Sequence, residues 1–572
     1  MRYAIFIGFL IGTLMCFIDS YSYAISGYTT AEISLISIPI LIIAAYRLLG
    51  IKPSDRDVVL SLALAYSMDL TTTLASGMYI TYGFLDYASQ RLKAFGLDVH
   101  IPQELYSGRG ILDLKPMSTY ISLSIISFSG ILIAYTLRSH FLDKERLRYP
   151  LSIASTLFIK TFRGIAINRS YIVALSLGFF LQFLSLIYSP QIDLTPISSS
   201  FLPGSVLALS FWPILIGIFM LMPLRTLRSL SMSSIITYAL LVPLSMVLFR
   251  IPVSPTLNYD DALFSITPIV IGINIGVIFV ALLYYILKLW RVLSTSFRLI
   301  LGLTMEKTIF IFSLGLIILL LPIAFAISTI QPGLATIIIL FMLIPVIHIV
   351  LILVNMRVVG ETGTGSQALL PMVTFLMYFL GVRDIGYYAA LDPYTGIPMP
   401  QVVGASAMNM IRVARFFGID SLSIVKVMGL GIFFGSLASY IFGNILVYAY
   451  GFNSPTMPLT RWIPTIAFIA SICNGKLDIS SIYTISIGIV VGILVIISSR
   501  YLDLSIFPFL VGIMFPPDIG ILALVIYAVK SIIVKLGVEM HEKIIAMTTF
   551  FIIGTGIAIA TNVVAMLILG SR

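Results

Sequence analysis

The feature that most constrains this chain is a series of apolar stretches, each about 20 residues long, that recurs from one end to the other between short polar breaks. A helix rises about 1.5 Å per residue, so a stretch of that length crosses the hydrocarbon core of a bilayer. Reading between the breaks gives runs at 4–23, 31–49, 58–84, 118–137, 171–189, 201–222, 231–249, 263–289, 308–329, 333–354, 367–382, 398–417, 422–450, 481–499, 519–536 and 544–568. Only 10% of the residues are charged, against about 25% in soluble domains. No aqueous fold covers that much apolar surface with so few charges. The chain is therefore expected to be all-α, a polytopic integral membrane protein of the cell membrane with roughly fourteen to sixteen transmembrane helices.

Three further runs, 149–163, 462–474 and 504–516, are short and carry Pro or Gly. Such segments suit re-entrant or interfacial positions. Irregular backbone survives at membrane depth only when buried in protein or lining a wet cavity, so these are the first places to look for a substrate path. The aromatic-Pro pairs Tyr149-Pro150 and Phe507-Pro508 open two of them, each a short way past a spanning run that ends in arginine (Arg138, Arg500). That echo is the sequence sign of a two-fold repeat, with halves 1–300 and 301–572.

Net charge is +10, and the basic residues sit mainly in loops between runs, where they set orientation rather than bind nucleic acid. Arg2 places the N-terminus in the cytoplasm, together with Arg47, Lys52 and Arg56, the stretch Arg138–Arg169, Arg225 with Arg228, and the stretch Lys288–Lys307. Simple alternation leaves some basic residues of the second half on the outer side, Lys530 and Lys535 among them. The first run continues through Ile18 to Tyr23, long enough to span, and is read as a helix rather than a cleaved leader. Cys16 and Cys473 both lie in apolar segments and form no disulfide or metal framework.

Charges inside spanning helices are costly and usually face a bundle interior or a cavity. Asp69 lies mid-run, followed by Thr71, Thr72, Thr73 and Ser76. A carboxylate there can exchange a proton, or can act as structural glue bonded to a neighbouring helix. Asp19 lies near the outer end of the first run, facing a vestibule or resting at the interface in contact with water. His348 is a proton relay or a packed imidazole. No carboxylate or second histidine stands three or four residues away, so no metal site is expected. The stretch Gly360–Gln367 lacks the Gly-Lys-Ser/Thr ending of a phosphate loop, and it fits a polar loop or broken helix in which Glu361 partners a proton or cation. Arg412, beside Asn409 and Arg415, can hold a solute carboxylate through two parallel hydrogen bonds. No metalloprotease motif or serine elbow occurs, and neither an enzyme nor a cofactor is expected.

Three places are similar to the oligopeptide transporter family, which includes peptide transporters and yellow-stripe-like carriers of metal chelates. They are Pro53-Ser54-Asp55-Arg56-Asp57 before an apolar helix, Tyr149-Pro150-Leu151-Ser152-Ile153-Ala154 after a basic loop, and Glu361-Thr362-Gly363-Thr364-Gly365 with the later Asn409, Arg412 and Arg415. The resemblance implies proton-coupled uptake of a small polar solute, a peptide or a metal chelate. Asp69 or Glu361 would then take the proton and Arg412 an anionic group of the solute. The alternatives are a membrane-embedded enzyme acting on a lipid-linked substrate and a non-transporting subunit of a larger assembly.

Overall fold

A computed structural model of the chain describes residues 2–27, 34–108, 112–164, 169–188, 191–202, 204–249, 258–301, 310–318, 320, 334–362, 371–392, 394–395, 399–476, 482–499 and 501–569. The side chains at 2, 161–164, 285, 288–301, 334–341, 361–362 and 507 lie outside that description. Among the described residues ten helices are long and apolar enough to cross a membrane: Tyr3–Ser26, Asp55–Ala94, Leu114–Lys144, Arg169–Ile187, Leu224–Phe249, Tyr259–Tyr284, Met342–Gly360, Ser421–Tyr450, Pro517–Lys535 and Val538–Ile568. Ser34–Leu48, Pro150–Lys160, Ile463–Cys473 and Ile482–Ser498 are shorter apolar helices. The chain is a multi-pass all-α membrane protein.

Some expected runs are not full spans. The run at 201–222 breaks into a strand, Ala208–Ser210, and a nine-residue helix, Pro213–Leu221, which Pro213 opens at its first position, where the missing N–H costs no helix bond. The strand pairs antiparallel with Gln191–Asp193. In the run at 367–382, of which 367–370 lie outside the described residues, the helix is Pro371–Phe379, and the run at 398–417 gives Pro400–Phe416. The three short segments are helices: Pro150–Gly164, Ile463–Cys473 and Ile506–Ile513. Most of 308–329 lies outside the described residues.

Local sequence sets the helix boundaries. Asp55–Asp69 starts from a capping box: the Asp57 backbone N–H donates to Ser54 Oγ at 3.2 Å while the Asp57 carboxylate accepts from the Ser54 backbone. Three spanning helices each carry one five-residue π turn, at Thr73–Gly77, His140–Lys144 and Thr237–Leu241.

Arg2–Ser26, Asp55–Ala94 and Ser421–Tyr450 form a parallel trio. The faces of Gly8 and Gly12 meet Ser61 and Ala65, Gly431 and Gly435 meet Leu64 and Met68, and Phe9, Phe17 and Tyr21 meet Phe434, Phe442 and Tyr450 in the same order. Close approach is what fixes a small residue at Gly435, whose Cβ would stand 2.5 Å from the Met68 carbonyl oxygen. Leu114–Ser139 runs against the trio: Phe128 meets Gly429, and the Tyr440 hydroxyl donates to the Asp113 carbonyl at 2.9 Å. Other close pairings also join early to late chain, Arg169–Ile187 with Val538–Leu569, Tyr259–Leu301 with Ile482–Ser498, and Leu224–Ile236 with Pro517–Lys535, so the halves on either side of residue 300 interleave.

The trio's direction gathers charge at one end. Arg56 and Lys426 stand near the starts of their helices, and the segment 140–149 lies nearby. There Arg415 pairs with Asp143 at 2.6 Å, and Glu145 bridges His140 at 2.8 Å and Arg357 at 3.2 Å.

Candidate functional site

Polar groups concentrate along one side of the first helix, from its middle to its end. Its apolar stretch carries Cys16, Asp19, Ser20, Tyr23 and Ser26, all but Tyr23 fully buried. At the level of Cys16, Thr72 Oγ1 and Ser439 Oγ lie 3.3 Å apart, and both are near enough to influence the thiol. Asp19 and Asp69, each 0% exposed, are close enough to act on that thiol electrostatically. The Ser34 hydroxyl, at the start of the next helix, donates to Asp69 Oδ2. Asp69 also ends the regular α-helical part of its helix, one turn before the π turn at Thr73.

One turn above Asp19, the Tyr23 hydroxyl lies 3.5 Å from Thr81 Oγ1 and within electrostatic range of both Asp19 and Arg461. A buried polar file thus runs from Asp69 through Asp19 and Tyr23 to Arg461. Asp69 and Thr81 are 12 positions apart on one helix, a rise of about 18 Å.

Arg461 stands where helix ends converge. It closes the short turn Leu459–Arg461 ahead of Ile463–Cys473, and its side chain is 5% exposed. Its Nε donates to the Ser26 carbonyl at the end of the first helix. Its Nη1 donates to Thr465 Oγ1 at 3.3 Å and to the Met514 carbonyl at 3.4 Å, in the break between Ile506–Ile513 and Pro517–Lys535. The guanidinium lies 4.8 Å from the Phe515 ring centroid and 5.6 Å from that of Trp462, distances that suit cation–π attraction. Gly27, at φ +64°, leaves it room, since a methyl group there would overlap the guanidinium. Tyr23, Tyr238, Tyr394 and Asp518 all lie within its electrostatic range. Asp518 accepts from the Tyr259 hydroxyl at 2.7 Å.

The expected site residues fall in different places. Asp69 is buried in the file. Asp19 is buried there too, not at a wet interface, because the packed trio closes over its level. Arg412 stands at the charged end, donating to the Leu147 carbonyl at 2.7 Å beside Tyr149 and Phe416. Asn409, on the same helix, is 2% exposed, with its Oδ1 lacking a hydrogen-bond partner among the described residues. His348 is buried, its Nε2 3.2 Å from the Leu391 carbonyl. The backbone of Glu361 ends the helix Leu334–Thr362, and its side chain is outside the described residues. Tyr149, at φ +45°, donates from its hydroxyl to the Met356 carbonyl and from its N–H to the Gly360 carbonyl, both at 2.9 Å, and Pro150 then begins the next helix. Pro508 lies in Ile506–Ile513, and the Phe507 side chain is outside the described residues. No group of three or more metal-ligating side chains occurs among the described residues.

No known family's sequence profile matches the chain, and no curated protein is similar to it. Arg461 and Asp518 were legible only by position, each beside one of the short interrupted runs, 462–474 and 504–516. Lys530 needed coordinates: its Nζ donates to the Met220 carbonyl at 2.7 Å and to that of Met222, so it serves the C-terminal end of Pro213–Leu221 and is no guide to topology.

Proposed function

We propose that the chain is a secondary active transporter of the oligopeptide transporter kind, taking up small peptides or metal chelates with protons. The observation that carries this is the buried file from Asp69 and Asp19 to Arg461. Ionisable groups enclosed within apolar helices are expensive unless they meet a proton or a polar solute on its way through. Helix breaks at Met514–Pro516 and at the end of the first helix bring backbone carbonyls to the same place, as in carriers whose discontinuous helices line a site. The groups are sealed from solvent, which corresponds to an occluded step of alternating access. Asp69, held by Ser34, takes the coupling proton. The charged end with Arg56, Arg415 and Lys426 faces the cytoplasm, where basic residues concentrate, and that puts the N-terminus inside. Purified protein in liposomes should accumulate a peptide or chelate when the outside is acidified. Asp69→Asn should abolish accumulation and leave counterflow exchange, whereas full accumulation by Asp69→Asn would remove this residue from coupling.

A further inference from the structure

Arg461 carries a charge that its surroundings do not neutralise at contact distance. No carboxylate lies within ion-pair distance of its guanidinium among the described residues, and Asp518 acts on it only at longer range. A guanidinium has five N–H donors. Those of Nε and Nη1 go to Ser26, Thr465 and Met514, and no hydrogen bond is made by Nη2 among the described residues. A buried cation in that position is costly unless something negative joins it.

Two further polar atoms nearby are also unspent. The Tyr238 hydroxyl belongs to a residue that is 0% exposed, has no hydrogen-bond partner among the described residues, and is within electrostatic range of Arg461. Asn274, equally buried, gives its amide N–H to the Tyr394 hydroxyl at 3.4 Å and leaves its Oδ1 without a partner among the described residues. Tyr394 is itself within electrostatic range of Arg461. Tyr238 lies in the π turn Thr237–Leu241, and wide turns of that kind recur at functional sites.

We infer that Arg461 and the Tyr238 hydroxyl form the anchoring site for one carboxylate group of the transported solute, with Asn274 and Tyr394 beside it. The assignment rests on the carrier reading and adds to it the group that the solute must carry. One guanidinium balances one negative charge. A dianion would bring surplus charge toward Asp518, so a carboxylate fits better than phosphate. The aromatic faces of Phe515 and Trp462 bound the cation, and the two N–H donors of Nη2 are left for a carboxylate oxygen, in a charge-assisted hydrogen bond.

The test is thermal stabilisation of the purified full chain by a panel of small monocarboxylates, from acetate to short peptides, each paired with its amide, with inorganic phosphate as a separate arm. At least one acid should raise the unfolding midpoint, while its amide and phosphate should not. Arg461→Gln should weaken the acid's effect about tenfold to hundredfold, the range for losing a hydrogen bond to a charged group. Arg461→Lys and Tyr238→Phe should each weaken it about tenfold and leave the protein folded. If Arg461→Gln does not fold, those two variants decide the matter. Equal stabilisation by acid and amide, stabilisation by phosphate alone, no stabilising acid, or unchanged acid binding in the Lys and Phe variants would overturn the assignment. Binding that depends on Arg461 without proton-driven uptake of the same acid would defeat the carrier reading alone. Uptake that persists in Arg461→Gln would defeat this assignment alone.

Discussion

The Tyr259 hydroxyl donates to Oδ1 of Asp518 at 2.7 Å and so ties the first turn of one spanning helix to the first turn of another. The Tyr259 backbone N–H also donates to Asp193 Oδ2 at 2.9 Å, which brings the small strand pair into the same junction. Tyr259→Phe keeps the ring and removes the donor from a buried carboxylate. The cost should be about 1–3 kcal/mol, seen as a fall of several degrees in the unfolding midpoint in detergent. An unchanged midpoint would show that the junction is held by other contacts.

Helix crossings here depend on absent side chains. At Gly554 the first atom of any side chain would collide with the Leu175 carbonyl of Arg169–Ile187. Gly554→Val should therefore destabilise by about 1–3 kcal/mol or more, as overpacking does. Val525→Ala, at a side chain 52% exposed on the outer surface, should barely move the midpoint. Equal effects from the two would mean that the Gly554 contact is loose.

Both thiols are free and buried. A membrane-permeant maleimide should label neither Cys16 nor Cys473 in the folded protein and both after denaturation in dodecyl sulfate, with mass spectrometry as the readout. Rapid labelling of Cys16 in the folded state would mean that the layer containing Asp19 and Asp69 is open at rest.

The parallel register of the trio can be checked chemically. Thr72 Oγ1 and Ser439 Oγ are 3.3 Å apart. In a Cys16→Ser background, the double variant Thr72→Cys, Ser439→Cys should crosslink under mild oxidation and hold together two fragments made by cleavage in an intervening loop. Failure to crosslink would place the two helices in another register.

The sequence made the membrane architecture legible because a 20-residue apolar run has few other uses. It marked Asp69 as a carboxylate enclosed among helices, but not whether the group exchanges a proton or ties one helix to the next, as its bond from Ser34 also allows. Hydropathy could not separate a full span from an interrupted one. At 201–222 the average is high, yet Pro213 and the strand before it divide the run. Nor can hydropathy tell a loop charge in water from a loop charge inside protein. Arg461 counts as a topology residue in one dimension and becomes a buried cation only when the first helix, the Met514–Pro516 break and Tyr238 fold around it. Lys530 misleads in the same way, since what buries it is a neighbour more than 300 positions earlier in the chain. Asp19 is close enough to the end of its run to suggest water, and only the packing of Ser421–Tyr450 against the first helix excludes it.

The wide turns at Thr73–Gly77 and Thr237–Leu241 each hold a surplus residue, and a surplus residue is a stored rotation. An α-helix advances about 100° per residue, so ironing out the turn at Thr73 would swing Thr81 and Tyr82 by about that angle while Asp69 below kept its bearing. The same relaxation at Thr237 would swing Val242 and everything after it, with Tyr238 displaced inside the turn. Two such swivels, one beside the Asp69 carboxylate and one beside the guanidinium, would let the two ends of the file be re-aimed separately, without any spanning segment having to unravel.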